Sequence, residues 1–109
     1  MQAPLQITFR GMSPVASVES LITEHWNRLA RFADRVVRGH VIIDVPHRRQ
    51  RAGRHFSVHV DIAVTGGTIA VTRDPDRTSP QQLDVVIHDV FDAAKRQLED
   101  AAKRRQLAG

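Results

Sequence analysis

From Gly39 to Thr72 apolar and polar residues alternate in three runs. In the longest, Phe56, Val58, Val60, Ile62 and Val64 fall on one side, and His55, Ser57, His59, Asp61 and Ala63 on the other. That period of two is the pattern of a strand with one buried face. Val41, Ile43 and Val45 alternate in the same way with His40, Ile42 and Asp44. Thr65-Gly66-Gly67 supplies a turn before Thr68–Thr72, because glycine enters positive-φ positions without a Cβ penalty. The three runs predict an antiparallel meander. Upstream, Leu5, Ile7 and Phe9 predict a short first strand, closed by Gly11 and Pro14.

The period then changes. Val18, Leu21, Ile22, Trp26 (or His25), Leu29, Phe32 and Ala33 recur at steps of three and four, which predicts an amphipathic helix to about Phe32. Ser13 before Pro14 offers its cap. The outer side of this helix carries Glu24, Arg28, Arg31 and Arg35. After the polar stretch 73–82, Leu83, Ile87, Val90, Phe91, Ala94, Leu98 and Ala101 predict a second helix over about 81–106, with 107–109 frayed. The order β-α-β-β-β-α favours a right-handed crossover between parallel first and second strands. Both helices must cover the one apolar sheet face. The expected fold is α+β, a two-layer sandwich with a four-stranded mixed sheet, and its other face is open and polar.

Length changes this picture little. The 109 residues fit a single domain, 1–109, with its core at about 4–106. No apolar run approaches the roughly 20 residues that span a bilayer. The N-terminal residues lack the basic segment and apolar block of a secretory signal. Cysteine is absent, which removes disulfide and thiolate chemistry and fits a reducing cytoplasm.

Charge says more. Sixteen Lys+Arg against twelve Asp+Glu leave +4. Arg48, Arg49, Arg51 and Arg54, with no acid among them, account for that excess within one loop. Guanidinium groups stay charged and pair bidentately with phosphate, so such a loop points to a polyanion. Aromatic residues make up only 5%, so recognition of phosphate and RNA shape is expected rather than base reading. The second helix has Asp84, Asp89 and Asp92 early, with Lys95, Arg96, Lys103, Arg104 and Arg105 late. That asymmetry complements the helix dipole without any ligand, and Asp92–Arg96, Glu99–Lys103 and Asp100–Arg104 are spaced as helix ion pairs.

Six histidines raise the question of a metal. His55, His59 and Asp61 share a strand face, but residues four apart on a strand lie about 13 Å apart, too far for one ion. No nucleophile is spaced with a base. The expectation is no enzyme, no catalytic residue, no metal and no cofactor.

The order and register of these pieces resemble the short ribosome hibernation-promoting and ribosome-associated inhibitor family, the protein Y group. The likeness is carried by LQIT at 5–8, VESLITEHWNRLARFADRV at 18–36, HFSVHVDIAV at 55–64, GGTIAV at 66–71 and DVVIHDVFDAAKRQL at 84–98. It implies the fold above. It also implies a partner, the small ribosomal subunit and its rRNA, where a member fills the path of tRNA and mRNA and silences translation. On matching positions the resemblance assigns rRNA contacts to Arg28 and Arg35 and to Arg96 and Lys103. A family lysine of the first helix is His25 here, and the arginine loop is unusually rich. The chain as given has no counterpart of the extra C-terminal domain of long-form members.

The combined expectation is a cytoplasmic translation-silencing factor with no membrane and no small-molecule substrate. Its rRNA contacts come from Arg28, Arg35, Arg48, Arg49, Arg51, Arg54, Lys95, Arg96, Lys103 and Arg104. Two other readings fit the same charge pattern. One is a generic double-stranded RNA-binding module, and the other a self-associating interaction domain that binds no RNA.

Overall fold

The computed structural model describes residues 3–33, 35–45, 56–74 and 82–108, the last four of these by backbone alone. The elements run β1 (Leu5–Arg10), α1 (Ala16–Phe32), β2 (Val36–Asp44), β3 (Ser57–Val64), β4 (Gly67–Arg73) and α2 (Leu83–Ala108). The sheet order is β1-β2-β3-β4. β1 and β2 are parallel, and β2–β3 and β3–β4 are antiparallel. This is the expected β-α-β-β-β-α sandwich, with α1 as the crossover. At the β3–β4 turn Gly66 takes φ of +93°, where a Cβ would be strained.

The alternation sorts the two faces as read. Val41, Ile43, Val58, Val60, Ile62, Ile69 and Val71 are buried, and they meet Ile22, Trp26 and Leu29 of α1 and the apolar stripe of α2 in one cluster. Phe56 packs against its edge. The other face is polar and is tied together by side chains. His40 Nε2 lies 2.8 Å from Thr8 Oγ1 across β1–β2. His59 bridges Thr72 (Nδ1 to Oγ1, 2.6 Å) and Asp61 (Nε2 to Oδ1, 2.8 Å). A carboxylate only accepts, so Nε2–H of His59 donates to Asp61, and in the neutral ring Nδ1 accepts from the Thr72 hydroxyl. These bonds hold the register of β3 and β4, which pair His59 with Thr72.

Trp26 sets the close packing of α1 on the sheet. Its ring lies over Gly39, where an added Cβ would come within 2.5 Å of two ring carbons. Gly39 also pairs with Leu5 and donates its amide to Pro4 O, so it cannot retreat without opening β1–β2. Gly39→Ala should therefore destabilise the fold by about 1–3 kcal/mol through overpacking. Urea unfolding checks this, and an unchanged midpoint would mean that the ring has room to move.

Four local expectations are revised. Ser13 does not cap α1. Val15 is the extended N-cap residue, without a side-chain cap bond, and its carbonyl accepts from Val18 and Glu19. β2 starts earlier than the alternation suggests, with an irregularity between Val36 and Arg38 that breaks the period. α2 starts at Leu83 and stays helical to Ala108, because 99–108 contain strong helix formers and neither Gly nor Pro. Its buried stripe ends at Leu98, so the last turns project beyond the core. Phe32, placed on the core stripe, is 49% exposed.

Candidate nucleic-acid interface

The face where α1 and α2 run side by side gathers cations from both helices. Arg28, Arg31 and Phe32 lie at steps of three and four on α1, so they share one side. With Leu29 and His25 they form one wall of a groove of about 720 Å³, and His88, Phe91, Asp92 and Lys95 of α2 form the other. Arg28, Arg31 and Lys95 are exposed. Lys95 Nζ sits 5.1 Å from the centroid of the Phe32 ring, a cation–π contact worth roughly 0.5–1 kcal/mol at such a site. Exposing Phe32 therefore has a use: it props a lysine over the groove mouth.

Among the described residues, the one acid that lines this groove is already paired. Asp92 Oδ2 accepts from Arg96 at 3.0 Å across one helical turn. Both side chains are exposed, so the pair is worth only about 0.3–0.5 kcal/mol, and a phosphate can compete for Arg96. The two histidines face each other across the groove. His25 stacks on Phe91, with centroids 5.2 Å apart and planes 12° apart. Its edge contact with His88 has centroids 5.6 Å apart at 67°. The His25 pKa lies below the usual histidine value, chiefly because burial disfavours the charged ring, and then because Arg28 and His88 repel it; Glu24 opposes weakly.

A second groove, of about 600 Å³, continues from the other side of Phe32. It brings Arg35 and Lys103 together with Glu99 and Asp100 over an apolar floor that includes Val64, Leu98 and Ala101. Charge is balanced here. Arg35 is further committed, since one of its terminal nitrogens donates to Thr65 O of the β3–β4 turn at 3.3 Å. Its buried Nε has no hydrogen-bond partner among the described residues.

The ten residues advanced from the sequence thus separate into groups. Arg28 and Lys95 meet in the first groove, with Arg96 beside them. Arg35 and Lys103 meet in the second, and Arg104 is exposed on the projecting end of α2. Arg48, Arg49, Arg51 and Arg54 lie outside the described residues. Arg31, His25 and His88 were not advanced as contacts. Arg31 had a signal, the step of three from Arg28. The His25–His88 pairing had none, because it joins two distant helices. Among the described residues no group of three His, Asp or Glu side chains is placed to hold a metal ion.

The sequence matches the family of the Sigma 54 modulation protein / S30EA ribosomal protein over residues 5–106. The chain belongs to this family. No curated protein matches the sequence. Among solved structures, a ribosomal subunit interface protein from Coxiella burnetii is similar with a TM-score of 0.70 and 16% identity, over 92% of this chain and 98% of that one. The N-terminal domain of Thermus thermophilus Protein Y is similar with a TM-score of 0.68 and 17% identity, again over 92% and 98%. At these identities the likeness is one of fold. The S30EA family is non-enzymatic, so the Thr72–His59–Asp61 relay, which neither groove includes, is read as a cross-strand tie. No described helix is long and apolar enough to cross a membrane.

Proposed function

We propose that this protein silences translation by occupying the tRNA and mRNA path of the small ribosomal subunit, with the α1–α2 face against rRNA phosphates. Membership in a family of ribosome-associated hibernation and interface factors supports the ribosome as partner, and that association puts its work in the cytoplasm. The observation that carries the finer reading is the first groove. Arg28, Arg31 and Lys95 converge on it while Asp92 is held by Arg96. A cationic groove of this kind suits a folded RNA backbone, which needs charge and shape rather than base edges. Arg48, Arg49, Arg51 and Arg54 add four charges to the same proposal. Silencing is then steric, because the bound domain excludes tRNA and mRNA without chemistry.

Co-sedimentation with small subunits over a salt series tests this. The expected result is saturable one-to-one binding whose log affinity falls with log salt at a slope of about −3 or steeper, at roughly 0.7–0.9 per phosphate contacted. Bound protein should also block tRNA loading. Equal affinity for naked duplex RNA would favour the generic double-stranded RNA module. Absence of binding at low salt, with oligomers in solution, would favour self-association.

A further inference from the structure

We propose that the α1–α2 groove takes up a proton on His25, whose ring stacks on Phe91 and faces His88, when an RNA phosphate enters it, so that acidification tightens binding to the ribosome. This rests on the ribosome-binding reading above and adds a regulation to the same surface.

The geometry supplies the pair and holds it in place. His25 is fixed by its stack on Phe91 and meets His88 edge-on at 5.6 Å between centroids. Both rings line the groove that Arg28, Arg31 and Lys95 open onto. The charged groups facing His25 can be taken element by element. From α1 come Glu24, Arg28 and Arg31; from α2 come His88, Asp92 and Lys95. Asp92 is engaged by Arg96, and the opposing influence of Glu24 on His25 is smaller than the repulsion from Arg28 and His88, so the net field at the His25 ring is positive. In the free protein that field, together with burial, holds His25 neutral near pH 7.

A phosphate does not undo the burial of His25, but it opposes the repulsion and supplies a partner for the charged ring. Its negative charge offsets Arg28, its oxygens accept from an imidazolium N–H, and a ring that was costly to charge becomes favourable to charge. By linkage, a ligand that raises the proton affinity of a group binds more tightly as protons become available. The sign follows. Affinity rises as pH falls from about 8 toward about 6, by at most tenfold per unit for each proton taken up. A divalent cation is the wrong occupant, because the three fixed cations at the mouth repel it and the two rings alone do not complete a coordination shell.

The test measures affinity for small subunits at about pH 8 and about pH 6 and constant ionic strength, for the natural chain, His25→Gln/His88→Gln and His25→Lys. Circular dichroism verifies that each variant is folded. The natural chain should gain about tenfold on acidification, equivalent to one proton taken up over part of the range. The double variant should show less than about a third of that gain. His25→Lys, with a charge that does not titrate in this range, should bind at pH 8 close to the level the natural chain reaches at pH 6. Tight binding by the natural chain with no pH dependence would overturn the inference and leave the ribosome reading standing. So would an equal pH slope in the double variant, which would place the titration on other histidines or on the ribosome. No binding at either pH would remove both.

Discussion

Trp26→Ala should cost about 3–5 kcal/mol of folding free energy, the largest single-residue effect expected in this chain. Trp26 is 1% exposed, and its ring fills the space above Gly39. Truncation leaves a cavity there, because Gly39 has no side chain to fill it and the β1–β2 pairing prevents collapse. The indole N–H also donates to Ala3 O at 3.0 Å, and losing that bond leaves a partly buried carbonyl short of a partner, worth about another 1 kcal/mol. Against a typical total of about 5–15 kcal/mol, such a loss leaves many domains partly unfolded at growth temperature. Urea titration followed by far-ultraviolet circular dichroism reads the effect. Trp26→Phe retains most of the apolar volume but not the donor, and should fall between the natural chain and Trp26→Ala. A loss below about 1 kcal/mol for Trp26→Ala would show that the helix repacks over Gly39, and that the tryptophan is not what holds α1 to the sheet.

The position of Trp26 was legible because burial leaves a periodic trace in sequence. Ile22, Trp26 and Leu29 keep steps of three and four, and β3 alternates without a break. The features that were not legible depend on contacts between distant segments. Phe32 continues the α1 stripe by count, yet it is the last residue of the helix and lies where the two grooves meet. A helical count gives the side a residue is on, not how far the neighbouring layer extends. The start of β2 was hidden for a related reason. An irregularity between Val36 and Arg38 shifts the register, so the residues before Gly39 do not show a clean period of two.

The candidate site divides along the same line. Arg28, Arg96 and Lys103 were placed by matching positions in a known family, and Lys95 by its place late in the second helix. All four prove to be on exposed helix surfaces. Which of them share a groove was decided by the α1–α2 packing, which sets Arg28 with Lys95 and Arg35 with Lys103. Net charge by itself did not rank these sites. The second groove has as many cations as acids among its lining residues, whereas in the first the acid is occupied by Arg96.

That difference leads to the second large effect. Arg28→Ala/Arg31→Ala/Lys95→Ala should weaken binding to small subunits by about 100-fold near 0.1 M salt, roughly 1 kcal/mol for each lost phosphate contact. It should also make the slope of log affinity against log salt shallower by about 2–3. Folding should change little, since the three side chains are exposed and only the contact of Lys95 with Phe32 is given up. Arg35→Ala/Lys103→Ala is the informative comparison. Arg35 is tied to the β3–β4 turn and Lys103 shares its groove with Glu99 and Asp100, so this pair should cost less affinity per charge removed. If both variants lost affinity in proportion to the charges deleted, the protein would be responding to net charge alone, and the first groove would have no special part. If the triple variant bound normally while Arg48, Arg49, Arg51 and Arg54 changed to Ala abolished binding, the contact would belong to the loop. A steep loss confined to the triple variant assigns it to the α1–α2 groove, where cations from both helices line one surface and the lining acid Asp92 is paired with Arg96.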